Sequence, residues 1–204
     1  MTIPTLTPRA AREQRTFRAL LDSMAHPGAV SRLDTEGVNP MAVIAEALVD
    51  HEVTFAVAGD GAELTEAILR QTGSHVAPMD VAQYVFCDAA SLEQALQGAS
   101  DGTWEYPDAG ATLVCLVTRI EELPHPLTAS PREERRSQAG RDVVIASGPG
   151  IRDSIVVSVD GFSAEGQRAF VERNATRPLG LEIIFLTADG TLVSFTRYTR
   201  LQEG

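Results

Sequence analysis

A strand, a tight glycine turn, a helix and a second strand follow one another between residues 53 and 87, and this succession constrains the fold more than anything else in the chain. Val53 to Ala58 is a short apolar run, Gly59-Asp60-Gly61 turns the backbone, and Ala62 to Gln71 carries Leu64, Ala67 and Ile68 at helical spacing. Gly73 stops the helix, and Gln83 to Cys87 is apolar again. Strands joined through a helix pair in parallel, with a right-handed crossover in nearly every case. A parallel pair buries both faces, so the unit predicts an α/β fold with layers on either side of its sheet.

The rest of the chain extends this unit. Thr7-Pro8 reads as an N-cap with proline at the first helical position, and Phe17, Leu20, Leu21 and Met24 then form one predicted core-facing stripe ahead of Pro27-Gly28. Asn39-Pro40 starts a second helix with Met41, Ile44, Ala45 and Leu48 as its stripe, and Ser91-Leu92-Glu93-Gln94 is a capping-box pattern for a short helix closed by Gly98. Ala111 to Val117 predicts a buried central strand, Asp142 to Ala146 and Asp153 to Val159 two more, and Ser163 caps a helix running to about Asn174. Leu181 to Thr187, the Ala188-Asp189-Gly190 turn and Leu192 to Tyr198 predict a β-hairpin whose strands are open to pairing at a sheet edge. Residues 121–141, rich in Pro, Glu and Arg, read as a long exposed charged loop. The expected architecture is a single domain spanning residues 1–204, with one central mixed β-sheet flanked by helices.

Charge narrows the function. A net charge of -11 argues against a nucleic-acid binder, because phosphate recognition rests on clustered positive charge. All 17 basic residues are Arg, so no side-chain amine is available for a Schiff base and no Walker A lysine exists. Cys87 and Cys115 lie in apolar runs and read as buried core thiols. No apolar stretch reaches the roughly 18 residues of a membrane span, and the first residues lack a secretory pattern, so a cytoplasmic location is expected.

Few residues nominate chemistry. Gly59-x-Gly61 stands where a dinucleotide fingerprint would, but Leu64 occupies its third glycine position, which favours a plain βα turn. Ser147, Gly148 and Gly150 offer either a turn between strands or backbone N–H groups for an anion. Arg177 and Arg197 flank the hairpin, as solvated strand ends or as an anion or partner contact. His26, His51, His75 and His125 show no metal-ligand spacing, and no nucleophile elbow is present. No nucleophile, base and orienting group come together, so catalytic residues are not assigned.

Four motifs, in order, resemble the PhnH family, whose members are subunits of the bacterial carbon-phosphorus lyase system for phosphonate use. They are Phe17-Arg18-x-Leu20-Leu21-x-x-Met24-x-x-Pro27-Gly28, Gly110-Ala111-Thr112-Leu113, Ser147-Gly148-Pro149-Gly150-Ile151 and Arg177-Pro178-Leu179-Gly180-Leu181-Glu182. The resemblance implies a component that works with subunits G, I and J and is a homodimer when isolated. It implies a role in joining the ribose triphosphate of ATP to methylphosphonate ahead of carbon-phosphorus cleavage. It also implies a fold like that of pyridoxal-phosphate-dependent transferases, without the cofactor. The missing lysine agrees, since no internal aldimine can form. The competing readings are an autonomous transferase or nucleosidase with an arginine anion clamp, and a module that binds phosphonate or nucleotide.

Overall fold

The computed structural model describes residues 7–124 and 142–202. Five α-helices stand among these residues: α1 (Pro8–Ala25), α2 (Pro40–Leu48), α3 (Ala62–Thr72), α4 (Leu92–Gly98) and α5 (Ala164–Arg173). The strands are β1 (Ser31–Arg32), β2 (Thr54–Val57), β3 (His75–Val76), β4 (Tyr84–Asp88), β5 (Thr112–Leu116), β6 (Ile120–Leu123), β7 (Val143–Ser147), β8 (Ile155–Val159), β9 (Glu182–Leu186), β10 (Thr191–Phe195) and β11 (Arg200–Gln202). None of the helices is long and apolar enough to cross a membrane.

The strands form two sheets, where the sequence predicted one. The larger runs β1-β10-β9-β5-β4-β2-β3 and is mixed, with β3, β2, β4, β5 and β9 parallel and the hairpin partner β10 antiparallel. The smaller, β11-β7-β8-β6, is antiparallel. Its strand β6 corrects the predicted loop. Glu121, Glu122 and Leu123 lie opposite Ser158, Val157 and Val156, so the charged segment begins inside a ladder and only its remainder, from residue 125, falls outside the described residues.

Predicted caps explain several helix starts. Thr7 and Ser163 accept from the N–H groups of Ala10 and Gly166, and Asn39 accepts from Met41. Ser91 departs from the capping box. Its hydroxyl donates to the Asp88 carboxylate, and its own N–H donates to the same oxygen at 2.9 Å. The buried faces also differ from prediction on α1. Thr16, Leu20 and Ser23 face inward, with Ser23 Oγ 2.7 Å from Ser194 Oγ on β10. Phe17 and Leu21 stay 44% and 54% exposed. The small residues win the inner face because they let α1 lie close on β10, and Arg12 on its other flank binds the nearly buried Glu46 of α2 at 2.7 Å.

Both faces of the larger sheet are covered, as a parallel sheet requires. Leu20, Met41, Ile44, Ile68, Phe86, Val114 and Leu192 join α1, α2 and α3 to one face. Leu96, Leu113, Cys115, Val157, Phe162, Phe170 and Phe185 join α4, α5 and the smaller sheet to the other. The Phe162 ring lies 4.8 Å from that of Phe185, and each buried phenyl contributes about 1.5–3 kcal/mol. Cys87 and Cys115 are register partners in this core and both are reduced thiols. The hairpin is interior, not an edge: β9 lies between β5 and β10, and β10 between β9 and β1.

Candidate functional site around the 196–199 turn

After β10 the chain makes a tight turn in which Thr196 N–H donates to Thr199 Oγ1 at 3.0 Å and Thr199 N–H donates back to the Thr196 carbonyl at 2.9 Å. All four sequence motifs meet on or beside this turn. The side chain of Arg197 runs inward and is nearly buried. Its Nη1 donates to the Pro107 carbonyl at 2.6 Å and to the Pro178 carbonyl at 3.2 Å, and its Nε lies 3.4 Å from Glu182. One guanidinium therefore ties the loop entering β5 to the loop entering β9. A fixed planar donor fork suits this better than an ammonium does.

Glycines let these loops approach. A Cβ on Gly110 would overlap the Gly180 carbonyl and stand 3.2 Å from Arg197 Nη1. Across the junction, Gly180 N–H donates to the Asp101 carbonyl at 2.9 Å, and Asn174 Oδ1 accepts from Leu181 N–H at 2.8 Å. Asn174 Nδ2 is buried without a hydrogen-bond partner among the described residues. Arg173 braces the same place, binding the Asp101 carboxylate at 2.7 Å and donating to the carbonyls of Gln97 and Ala99.

The Ser147–Ile151 turn, between β7 and β8, packs on the other side. Gly148 lies against the Tyr198 carbonyl, and Gly150, with φ +84°, packs so tightly on Ala25 and Pro27 at the end of α1 that no Cβ fits. Ser147 is opposite Arg200 in the β7–β11 ladder. Arg177 is exposed and lies 5.7 Å above the Tyr198 ring, the geometry of a cation–π contact.

Thus the five residues singled out from sequence, Ser147, Gly148, Gly150, Arg177 and Arg197, all gather around one turn. Their duties differ. The glycines admit neighbouring backbone, Arg197 is engaged by two carbonyls and a carboxylate, and Arg177 reaches solvent. Arg197 is not a solvated strand end. Asp101, Arg173 and Asn174 complete the junction, and sequence reasoning missed them because their partners lie in loops distant along the chain.

Gly59-x-Gly61 has a simpler role. Gly61 starts α3 where a Cβ would overlap Val57 Cγ1, which is the demand of a tight βα turn. A cavity of about 460 Å³ lies beside it at the carboxyl ends of β2 and β4, lined by Asp60, Glu63 and Asp88. Those carboxylates oppose a phosphorylated ligand. Asp88 is held below the usual carboxylate range by the Ser91 hydroxyl, which outweighs its desolvation. Burial pushes the Tyr84 phenol up, aided by Glu182 and Asp50. The Cys115 thiol is pushed up by its hydrogen bond with Cys87 and by burial, so it is no poised nucleophile. His26 bonds the Asp22 carbonyl at 3.0 Å at the exposed end of α1. Among the described residues no group of three or more His, Cys, Asp or Glu could hold a metal ion; His125 lies outside them.

The family model for the bacterial phosphonate metabolism protein (PhnH) matches residues 4–202. The chain belongs to the PhnH family. Two relatives extend the match. The "Alpha-D-ribose 1-methylphosphonate 5-triphosphate synthase subunit PhnH" of Rhizobium meliloti (strain 1021) is 27% identical over 199 residues, covering 93% of this chain and 90% of the relative. The "Putative C-P lyase subunit protein HtxG" of Stutzerimonas stutzeri is 28% identical over 179 residues, covering 88% of this chain and 80% of the relative. The PhnH match spans both sheets, so the 196–199 junction lies within the family's own extent.

Proposed function

We propose that this chain is a subunit of a carbon-phosphorus lyase assembly in alkylphosphonate catabolism. In that assembly it supports transfer of the ribose triphosphate of ATP to methylphosphonate, acting with subunits G, I and J in the cytoplasm. The observation that carries the reading is the near full-length match to two relatives whose names both contain the word subunit. The junction is consistent with it: its glycines and arginines hold loops in place. An autonomous arginine clamp would need Arg197 free, whereas its donors face Pro107, Pro178 and Glu182. No resident cofactor is part of this reading, and a pyridoxal aldimine has no lysine to form on.

The purified chain alone is expected to show no turnover of ATP with methylphosphonate, while the other subunits lose assembly or activity without it. Robust turnover by the lone chain would overturn the proposal. As an isolated protein we expect a homodimer, with the exposed Phe17 and Leu21 of α1 as a seam at the i, i+4 spacing used by helix pairs. The double variant F17S/L21S is then monomeric in sedimentation and still folded by circular dichroism, with a thermal midpoint that no longer rises with concentration. A variant that stays dimeric would remove α1 from the interface.

A further inference from the structure

Trp104, the single tryptophan of the chain, is 69% exposed, and Tyr106 on the same loop is 59% exposed. The loop that carries them is firmly held. Tyr106 N–H donates to Thr103 Oγ1 and Thr103 N–H to the Tyr106 carbonyl, each at 3.0 Å. Asp101 bridges Gly110, Ala111 N–H donates to the Ser100 carbonyl at 2.8 Å, and the Pro107 carbonyl accepts from Arg197. Arg173 grips the Asp101 carboxylate at 2.7 Å. The backbone is thus fixed at both ends while two large rings stand in water. Rigid, exposed aromatic anchors are what concentrate binding energy at protein interfaces, because little ordering entropy remains to be lost on docking.

The loop enters β5 at the amino ends of the parallel strands. Val76 on the edge strand β3 and Val81 just before β4 stand at that end, and Tyr198 follows β10 there, so five of the ten large exposed hydrophobic residues among those described, spread across the strands, share one end of the sheet. Glu105 and Asp108 flank the rings, exposed and with no ion pair to any described cation. Arg177 and Arg200 are exposed beside the 196–199 turn, and Arg177 lies on the Tyr198 ring. A second copy would bring a net charge of -11 and the same carboxylates against this surface. A different chain presenting arginine or lysine among aliphatic side chains would pair with Glu105 and Asp108 and stack its cations on the indole and phenol.

We propose that the Trp104–Tyr106 loop is the docking surface for a basic partner subunit. This rests on the reading of the chain as a subunit. The test uses the full chain co-expressed with subunits G, I and J, with hydroxyl-radical footprinting read by mass spectrometry. Oxidation of Trp104 is expected to fall about fivefold or more in the assembly relative to the free chain, as for a ring at an interface centre. The variant E105R/D108R, which leaves the loop's backbone bonds intact, is expected to weaken capture about thirtyfold with an unchanged thermal midpoint. An assembly in which Trp104 oxidises as readily as in the free chain overturns the inference and leaves the subunit reading standing. Capture by the charge-reversed variant at full strength does the same. Protection of Trp104 that grows with concentration in the chain alone makes a second copy the occupant and overturns the basic partner. Failure of the wild-type chain to join any assembly overturns the subunit reading, and this inference with it.

Discussion

Replacing Arg197 by methionine tests whether the 196–199 junction is held by one guanidinium. The change keeps much of the stem's volume and removes donors now bound to Pro107 at 2.6 Å and Pro178 at 3.2 Å, together with the Glu182 pair at 3.4 Å. A hydrogen bond from a charged donor contributes about 1.5–3 kcal/mol, and stranding a buried partner adds desolvation. The ion pair is discounted for solvent screening, since the side chains of Arg197 and Glu182 are 11% and 25% exposed. The sum is a loss of at least about 3 kcal/mol, taking each bond at the low end because both share Nη1. For a chain of this size each kcal/mol moves the thermal midpoint by about 2–4 °C, so calorimetry should show a fall of about 6–12 °C. Arg197→Lys keeps the charge but loses the fork, and should recover about half of that. Arg177→Met is the control, because an exposed cation–π contact contributes only about 0.5–1 kcal/mol. Equal midpoints for Arg197→Met and Arg177→Met would refute the reasoning.

Gly150→Ala places a Cβ against the Ala25 carbonyl at a left-handed φ of +84° and should cost about 2 kcal/mol or more, read as a lower urea midpoint with an unchanged slope. Asp88, whose folded pKa is depressed by Ser91, stabilises the fold above its unfolded pKa near 3.9, and that contribution disappears as pH falls through the lower folded value. The stability difference between wild type and Ser91→Ala should therefore be full at pH 6 and shrink below about pH 4; a difference that grew on acidification would reverse the sign of the argument.

Local signals in the sequence located most elements. The βαβ unit, the hairpin, and the Thr7, Asn39 and Ser163 caps were legible because each is specified by residues within one turn or one crossover. The second sheet was not. Its strands β6 and β11 are short and carry Glu121, Glu122 and Arg200, and their partners lie far along the chain. The inner face of α1 was misread because Phe17, Leu20, Leu21 and Met24 cover a broad arc, and the close fit to Ser194 that selects Thr16 and Ser23 is tertiary. At the junction, Ser147, Gly148, Gly150, Arg177 and Arg197 were visible as unusual residues, yet nothing local to Arg197 indicates that its guanidinium reaches carbonyls 90 and 19 residues away, at 107 and 178.

The pairing of β5 with β9 also governs how the chain reaches its fold. Thr112 lies opposite Glu182, and the intervening stretch holds most of the smaller sheet and α5. Closing a loop of about 70 residues costs roughly 4 kcal/mol of chain entropy before the central strands return any contact. High contact order of this kind slows folding to milliseconds or longer. Until β9 arrives, β5 has an unpaired edge, and Leu113, Val114 and Cys115 are open to the wrong strand.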